Sequence, residues 1–139
     1  MQVSLITFTA MQKNFLALGI IFALLAVVLG AFGAHALKAR LSPDQIQVFE
    51  TGVKYQFYHA FALIITVFLI DKLGGNFPMY AGWCFVGGIC LFSGSLYMIS
   101  CKELVGMVNW RWLGPITPLG GLCFIAGWLS LLLGTLKTL

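Results

Sequence analysis

The sequence predicts an all-α membrane protein, an antiparallel up-down bundle of four transmembrane helices. Two observations predict this fold class. First, 60% of the 139 residues are hydrophobic and 9% are charged, which leaves too little polar surface to coat the core of a soluble domain. Second, short polar segments separate four apolar stretches that are each long enough to form a helix. We therefore expect residues 1–139 to form one integral membrane domain.

The charge and the cysteines restrict the partners. Eight Lys and Arg against four Asp and Glu give a net charge of +4, which is too sparse for nucleic-acid binding but suits loops that meet anionic lipid headgroups. Cys84, Cys90 and Cys123 belong to no C-x-x-C motif, so we interpret them as packing residues rather than zinc ligands. We expect the lipid bilayer as a partner and no cofactor, and the sequence leaves a homo-oligomer open.

The first helix is predicted over residues 14–37, which contain no charge. At 1.5 Å per residue this stretch covers about 36 Å, enough to cross a hydrocarbon core of about 30 Å. A signal peptide is the alternative, because Ala34-His35-Ala36 imitates a cleavage site. The apolar stretch is longer than the roughly 7 to 15 residues typical of such segments. Met11, which precedes Lys13, is an alternative initiator to Met1.

The second helix is predicted over residues 43–71, starting from the capping box formed by Ser42 and Gln45. Its uncharged part is only about 16 residues, which is short for a span. The helix must therefore include an amphipathic start in the headgroup layer, where Glu50 can pair with Lys54.

The third helix is predicted over 79–101 and the fourth over 113–137. The fourth opens with a motif that can break a helix, formed by Gly114, Pro115, Pro118, Gly120 and Gly121. One interpretation is an unwound turn that faces the bundle interior, where protein or water covers the freed carbonyls. We favour a plain helix start, because Trp110 and Trp112 place the aromatic belt of the interface just before the motif.

Small residues recur every seven positions in three of the predicted helices. The series are Gly19, Ala26 and Gly33; Ala81, Gly88 and Ser95; and Gly120, Gly127 and Gly134. Lipid gives helices no hydrophobic reason to associate, so small residues that allow close approach mark the contacts. A seven-residue repeat is typical of a left-handed bundle. We therefore expect these residues to face other helices.

Polar residues converge at one end of the predicted bundle. Counted at 1.5 Å per residue from the loops after the first and third helices, His35, His59, Ser95 and Thr117 lie roughly 5–10 Å deep. The candidate polar cluster consists of His35, Gln56, His59, Ser93, Ser95, Tyr97 and Thr117. We expect these groups to bond across helices, as polar groups in membranes do.

Three functions are compatible with this cluster. A non-catalytic role through helix or subunit contacts is favoured, because no carboxylate lies at the same depth to orient a nucleophile. The alternative is a small oligomeric permease or channel that uses the start of the fourth helix. Less favoured is haem or metal binding by His35 and His59, since no third His or C-x-x-C-H motif accompanies them.

The orientation follows from the basic residues. The loops after the first and third helices carry five Lys and Arg and the other side carries three. The positive-inside rule therefore predicts that those two loops face the cytoplasm and that both termini lie on the non-cytoplasmic side of the inner (plasma) membrane.

Four motifs together resemble a known family. They are GAFGAHALK at 30–38, YQFYHAFAL at 55–63, LFSGSLY at 91–97 and GPITPLGG at 114–121. Their order and spacing are similar to the domain of unknown function 423 family, which includes bacterial inner-membrane proteins and the eukaryotic transmembrane protein 256. The resemblance covers nearly the whole chain from Met11. It implies a four-span membrane protein and no established activity.

Overall fold

The protein is a bundle of four antiparallel helices in a computed structural model that describes residues 7–106 and 111–138. The helices are α1 (Ala10–Leu37), α2 (Pro43–Leu69), α3 (Phe77–Cys101) and α4 (Ile116–Thr138), and each is long and apolar enough to cross a membrane. No strand occurs in these described residues. The predicted fold class is confirmed, while the proposed interface residue Trp110 lies outside the described residues.

Helix α1 begins at Ala10, four residues before the predicted start at 14. Thr9 is its N-cap, because the Thr9 hydroxyl accepts from the Gln12 backbone N–H at 3.3 Å and Gln12 Oε1 accepts from Thr9 N–H at 2.8 Å. This capping box satisfies two backbone donors that a helix start otherwise leaves free. The helix is α-helical over Ala10–Phe32 and ends in a π-helical turn over Gly33–Leu37.

Helix α2 starts from the predicted capping box, which the structure confirms. The Ser42 hydroxyl accepts from Gln45 N–H at 3.3 Å, and Gln45 Oε1 accepts from Ser42 N–H at 2.9 Å. Helices α2 and α3 pack together in the middle, with α1 chiefly against α2 and α4 chiefly against α3. The side chains of α2 and α3 therefore form most of the interior.

Helix α3 changes its winding midway, from α-helix over Phe77–Gly88 to a π-helical turn over Ile89–Ser93 and back to α-helix over Gly94–Cys101. Helix α4 follows a short 3₁₀ turn and begins at Ile116. Pro118 is then the third helical residue.

The proline and glycine motif is therefore the start of α4 rather than a break within it. Gly120 and Gly121 lie inside regular helix. The first turn of a helix has free N–H groups in any case, so a proline there removes no intrahelical hydrogen bond.

The small residues spaced in sevens face other helices, as predicted. All nine are buried: Gly19, Ala26, Gly33, Ala81, Gly88, Ser95, Gly120, Gly127 and Gly134. Buried residues of this size are where neighbouring membrane helices approach most closely.

Aromatic rings fill the space beside several glycines, and we call these contacts glycine notches. A β-carbon built at Gly127 would lie 2.6 Å from the ring of Phe85 in α3, and one built at Gly82 would lie 2.7 Å from Cζ of Phe15 in α1. The notches let large rings reach the helix backbone, and the rings in turn bury most of their surface.

Candidate functional site

Gln56 links three helices through its amide. Its Nε2 donates to the backbone oxygen of Phe22 in α1 at 2.8 Å, and its Oε1 accepts from the Tyr97 hydroxyl of α3 at 2.8 Å. Gln56 is 4% exposed and is equidistant from the two ends of α2. We call this set of bonds the Gln56 bridge. It uses both ends of the amide, which is how a buried polar group avoids the cost of desolvation.

Ser95 and Thr117 form a second polar pair, between α3 and α4. Their hydroxyl oxygens are 2.6 Å apart, and Ser95 also lies 2.9 Å from the Phe92 carbonyl, to which it donates. Because a hydroxyl has one hydrogen, Thr117 is then the donor to Ser95. The pair ties the first turn of α4 to α3.

His59 has a partner at each ring nitrogen. Nδ1 lies 2.7 Å from the Tyr55 carbonyl oxygen, and Nε2 lies 3.3 Å from the indole Nε1 of Trp128. A carbonyl accepts and an indole N–H donates, so the ring carries its hydrogen on Nδ1 and accepts on Nε2. The two bonds thus require a single tautomer.

The His59 ring lies among aromatic side chains. It stacks on Phe124 with centroids 3.5 Å apart and planes 9° apart, and Tyr55 stacks at 5.9 Å. Phe85 and Trp128 pack around it at 5.7 and 6.2 Å. Tyr55 lies four residues before His59 on the same helix, so that contact follows from the sequence spacing, whereas the other three rings were not predicted. Phe124 had a signal, because it lies four residues after Gly120 on the face marked by the seven-residue series.

The remaining members of the predicted cluster lie apart from these pairs. Ser93 is fully buried in the π-helical turn of α3, and its hydroxyl has no hydrogen-bond partner among the described residues. His35 is exposed on the outside of α1, and its Nδ1 lies 3.0 Å from the carbonyl of Ala31 in the same helix. The structure therefore brings together Gln56 with Tyr97 and Ser95 with Thr117, and His35 joins neither pair.

The geometry at the two histidines is unsuited to paired metal or haem ligation. Ligation needs a free lone pair on an imidazole nitrogen, and the Nε2 lone pair of His59 already accepts from Trp128. His35 lies on a different helix, α1, and its side chain is exposed on the outside of the bundle. Across the part of the chain that the structure describes, no three His, Cys, Asp or Glu side chains form a group suited to a metal ion.

A further polar contact at the opposite end of the bundle was not predicted. Gln12, which is 2% exposed, donates from Nε2 to Asp71 Oδ2 at 2.7 Å and lies 3.3 Å from the Val67 carbonyl. The T-x-x-Q spacing of Thr9 and Gln12 was the available signal.

These features define a class: a small four-span integral membrane protein whose interior is packed by rings against glycines and crossed by a few polar pairs. The chain belongs to the family described as protein of unknown function (DUF423), whose model matches residues 29–121. The resemblance drawn from the four motifs is thereby confirmed.

Curated relatives agree with this assignment. The UPF0382 membrane protein YwdK of Bacillus subtilis is 47% identical over 129 residues, covering 92% of this chain and 100% of the relative. UPF0382 membrane proteins of Staphylococcus haemolyticus and Staphylococcus epidermidis are each 42% identical, covering 91% of this chain and 98% of the relative. No solved structure matches the chain significantly.

Proposed function

We propose that the protein is a non-catalytic membrane protein that acts through its outer surface, on lipid, on other membrane helices or on a second copy of itself. The observation that carries this proposal is that the polar side chains of two interior sites are already hydrogen-bonded within the protein. The side-chain polar groups of the Gln56 bridge bond within that bridge, and the hydroxyls of Ser95 and Thr117 bond to each other. Their inferred role is therefore to hold the helices together rather than to bind a substrate.

Packing supports the same proposal. A transport path needs water-lined space along the bundle, whereas rings occupy the glycine notches between its helices. The outer surface, by contrast, exposes large apolar side chains along every helix, such as Val28, Phe61, Trp83 and Leu122. Contacts with other molecules would be made there.

The inferred location is the inner membrane, with both termini on the non-cytoplasmic side. Lys38, Arg40 and Lys102 are exposed at one end of the bundle, and Lys54 is exposed on the same half of α2, close to its middle. The other end carries Lys13, Lys72 and Lys137. The excess of basic residues supports a cytoplasmic position for the first end.

Reconstitution into liposomes tests the proposal against both alternatives. We expect no flux of small ions above that of protein-free liposomes, and no Soret band in the absorbance spectrum of the purified protein. Crosslinking in the same liposomes reports whether copies associate. A flux that His59→Phe abolishes and Cys84→Ala leaves unchanged would replace the proposal with the permease alternative.

A further inference from the structure

A cleft of about 490 Å³ opens at the basic end of the bundle, between the end of α1 and the loop after α3. Phe32, Ala36, Leu37, Arg40 and Leu104 line it, and we call it the Arg40 cleft. Its size falls within the roughly 300–1,000 Å³ of ligand sites. Four of its five lining residues are apolar, and the fifth is an exposed arginine.

The lining residues are ordered along the bundle axis. Phe32 lies deepest, and Arg40 follows eight residues later, just beyond the last turn of α1. The π-helical turn over Gly33–Leu37 and the turn that follows it separate these two side chains along the axis. The cleft therefore passes from apolar walls to a cationic rim, which is the polarity gradient of a phospholipid from its acyl chain to its phosphate.

Two other clefts at the same end differ in charge. The first, of about 270 Å³, is lined by Lys102 together with Asp44 and Glu103. The second, of about 360 Å³, is lined by Lys38 together with Glu50. Each contains a carboxylate near its cation. The residues that line the Arg40 cleft include no carboxylate, so among these three clefts it is the one that no acidic side chain lines.

We propose that the Arg40 cleft binds one anionic phospholipid, with the phosphate on the Arg40 guanidinium and an acyl chain between Phe32 and Leu104. The planar guanidinium suits bidentate bonds to phosphate oxygens. The wall is the π-helical turn of α1, where Lys38 N–H reaches back to the Gly33 carbonyl at 3.2 Å, and such turns are frequent at functional sites. This inference rests on the proposed function only in locating binding at the outer surface.

Lipid binding to the full-length protein in an uncharged detergent tests the proposal. The probes are phosphatidylglycerol and phosphatidylcholine with the same acyl chains, with bound lipid counted by native mass spectrometry. We expect one phosphatidylglycerol to bind in preference to phosphatidylcholine. Arg40→Gln should weaken that binding about tenfold or more, the loss of one charged hydrogen bond, whereas Arg40→Lys should retain part of it. Lys72→Gln, at the other end of the bundle, is the matched control.

Two further arms separate a lipid from a free phosphate. Glycerol 3-phosphate, at the concentration of phosphatidylglycerol that saturates the protein, should not compete, because it lacks an acyl chain. Leu104→Ser should weaken phosphatidylglycerol binding, whereas Leu136→Ser, at another exposed leucine, on α4, should not.

Equal binding by Arg40→Gln and the unaltered protein would overturn the proposal, as would equal losses in Arg40→Gln and Lys72→Gln. Thermal unfolding without lipid identifies a variant that fails to fold. If Arg40→Gln fails to fold, lipid binding by Arg40→Lys and Leu104→Ser tests the proposal in its place. Lipid counting tests the Arg40 cleft and liposome flux tests the proposed function. Because the two measurements are independent, failure of this site and failure of the proposed function are distinguishable.

Discussion

Gly120 marks a close approach of the α3 and α4 backbones. A β-carbon built there would lie 2.7 Å from the Phe92 Cα, a backbone atom that cannot rotate away. Gly120→Ala should therefore lower the free energy of unfolding by about 1–3 kcal/mol, the usual cost of overpacking. Unfolding in detergent, followed by circular dichroism, measures the change.

Gly121→Ala is the matched control for that substitution. Its built β-carbon would lie 3.8 Å from the Phe92 ring, an ordinary contact. Alanine also favours a helix by about 0.5–1 kcal/mol over glycine. We expect Gly121→Ala to be neutral or stabilising. Equal destabilisation by the two variants would contradict the close approach at Gly120.

The sequence predicts which residues face the interior when their angular position around the helix is taken into account. The seven-residue series predicted Gly120 because position along a repeat fixes direction. The expected place of His35 in the polar cluster was based on depth alone. His35 follows Gly33 by two residues, about 200° around an α-helix, so a buried Gly33 already directs His35 outward. Trp128 was not predictable as the partner of His59, because 69 residues separate them.

The Gln56 bridge connects α1, α2 and α3, and its loss should affect all three helices. Tyr97→Phe removes the donor to Gln56 Oε1 and leaves that buried oxygen unpaired. We expect the free energy of unfolding to fall by about 1–3 kcal/mol, the cost of an unsatisfied buried polar group. Unfolding in detergent measures it.

A double variant separates the lost bond from the unpaired group. In Tyr97→Phe combined with Gln56→Leu, the unpaired amide oxygen is removed as well, and replacing both partners by apolar groups is often nearly neutral. The double variant should therefore be more stable than Tyr97→Phe alone. A double variant less stable than Tyr97→Phe would show that the Gln56 bond to Phe22 dominates.

Pro118 occupies the third position of α4, where its missing N–H costs no intrahelical bond. Pro118→Ala should change the free energy of unfolding by no more than about 0.5 kcal/mol. Leu122→Pro, at an exposed position in the next turn, should lower it by roughly 3 kcal/mol. A large loss of stability in Pro118→Ala would mean that the proline itself fixes the start of the helix.

Helix ends were predictable where a capping motif was recognised. Ser42 and Gln45 placed the start of α2 at Pro43. Thr9 and Gln12 form the same motif. The prediction instead places the helix start just after the last charged residue, Lys13, so the predicted α1 begins four residues late. The π-helical turns at Gly33–Leu37 and Ile89–Ser93 had no signal, because one extra residue in a uniformly apolar stretch leaves the hydrophobic pattern unchanged.

At the scale of the whole molecule, the inferred orientation predicts where the C-terminus lies. A reporter that is active only in the cytoplasm, fused after Leu139, should stay silent, because in the inferred orientation the opposite end, with its excess of basic residues, faces the cytoplasm. The same reporter inserted in the loop after Lys38 is the matched control and should be active. An active C-terminal fusion would reverse the orientation and leave the four helices unchanged.

The fold class was predictable because composition and the lengths of apolar stretches decide it. The arrangement of the helices was not, since the placement of α2 and α3 between α1 and α4 depends on which side chains fit which glycines. The candidate site was predicted by residue type and not by pairing, because pairing requires knowing which helices are neighbours.

The glycine notches also limit how the bundle can move. Phe15 of α1 enters α3 at Gly82, and Phe85 of α3 enters α4 at Gly127, so these contacts couple α1 to α3 and α3 to α4. A piston-like slide of one helix by a turn, about 5.4 Å, would drive each ring against a residue with a side chain. A signal that crosses this membrane protein by axial displacement of one helix is therefore mechanically blocked. Rearrangement of the turns at the helix ends leaves both rings in their notches.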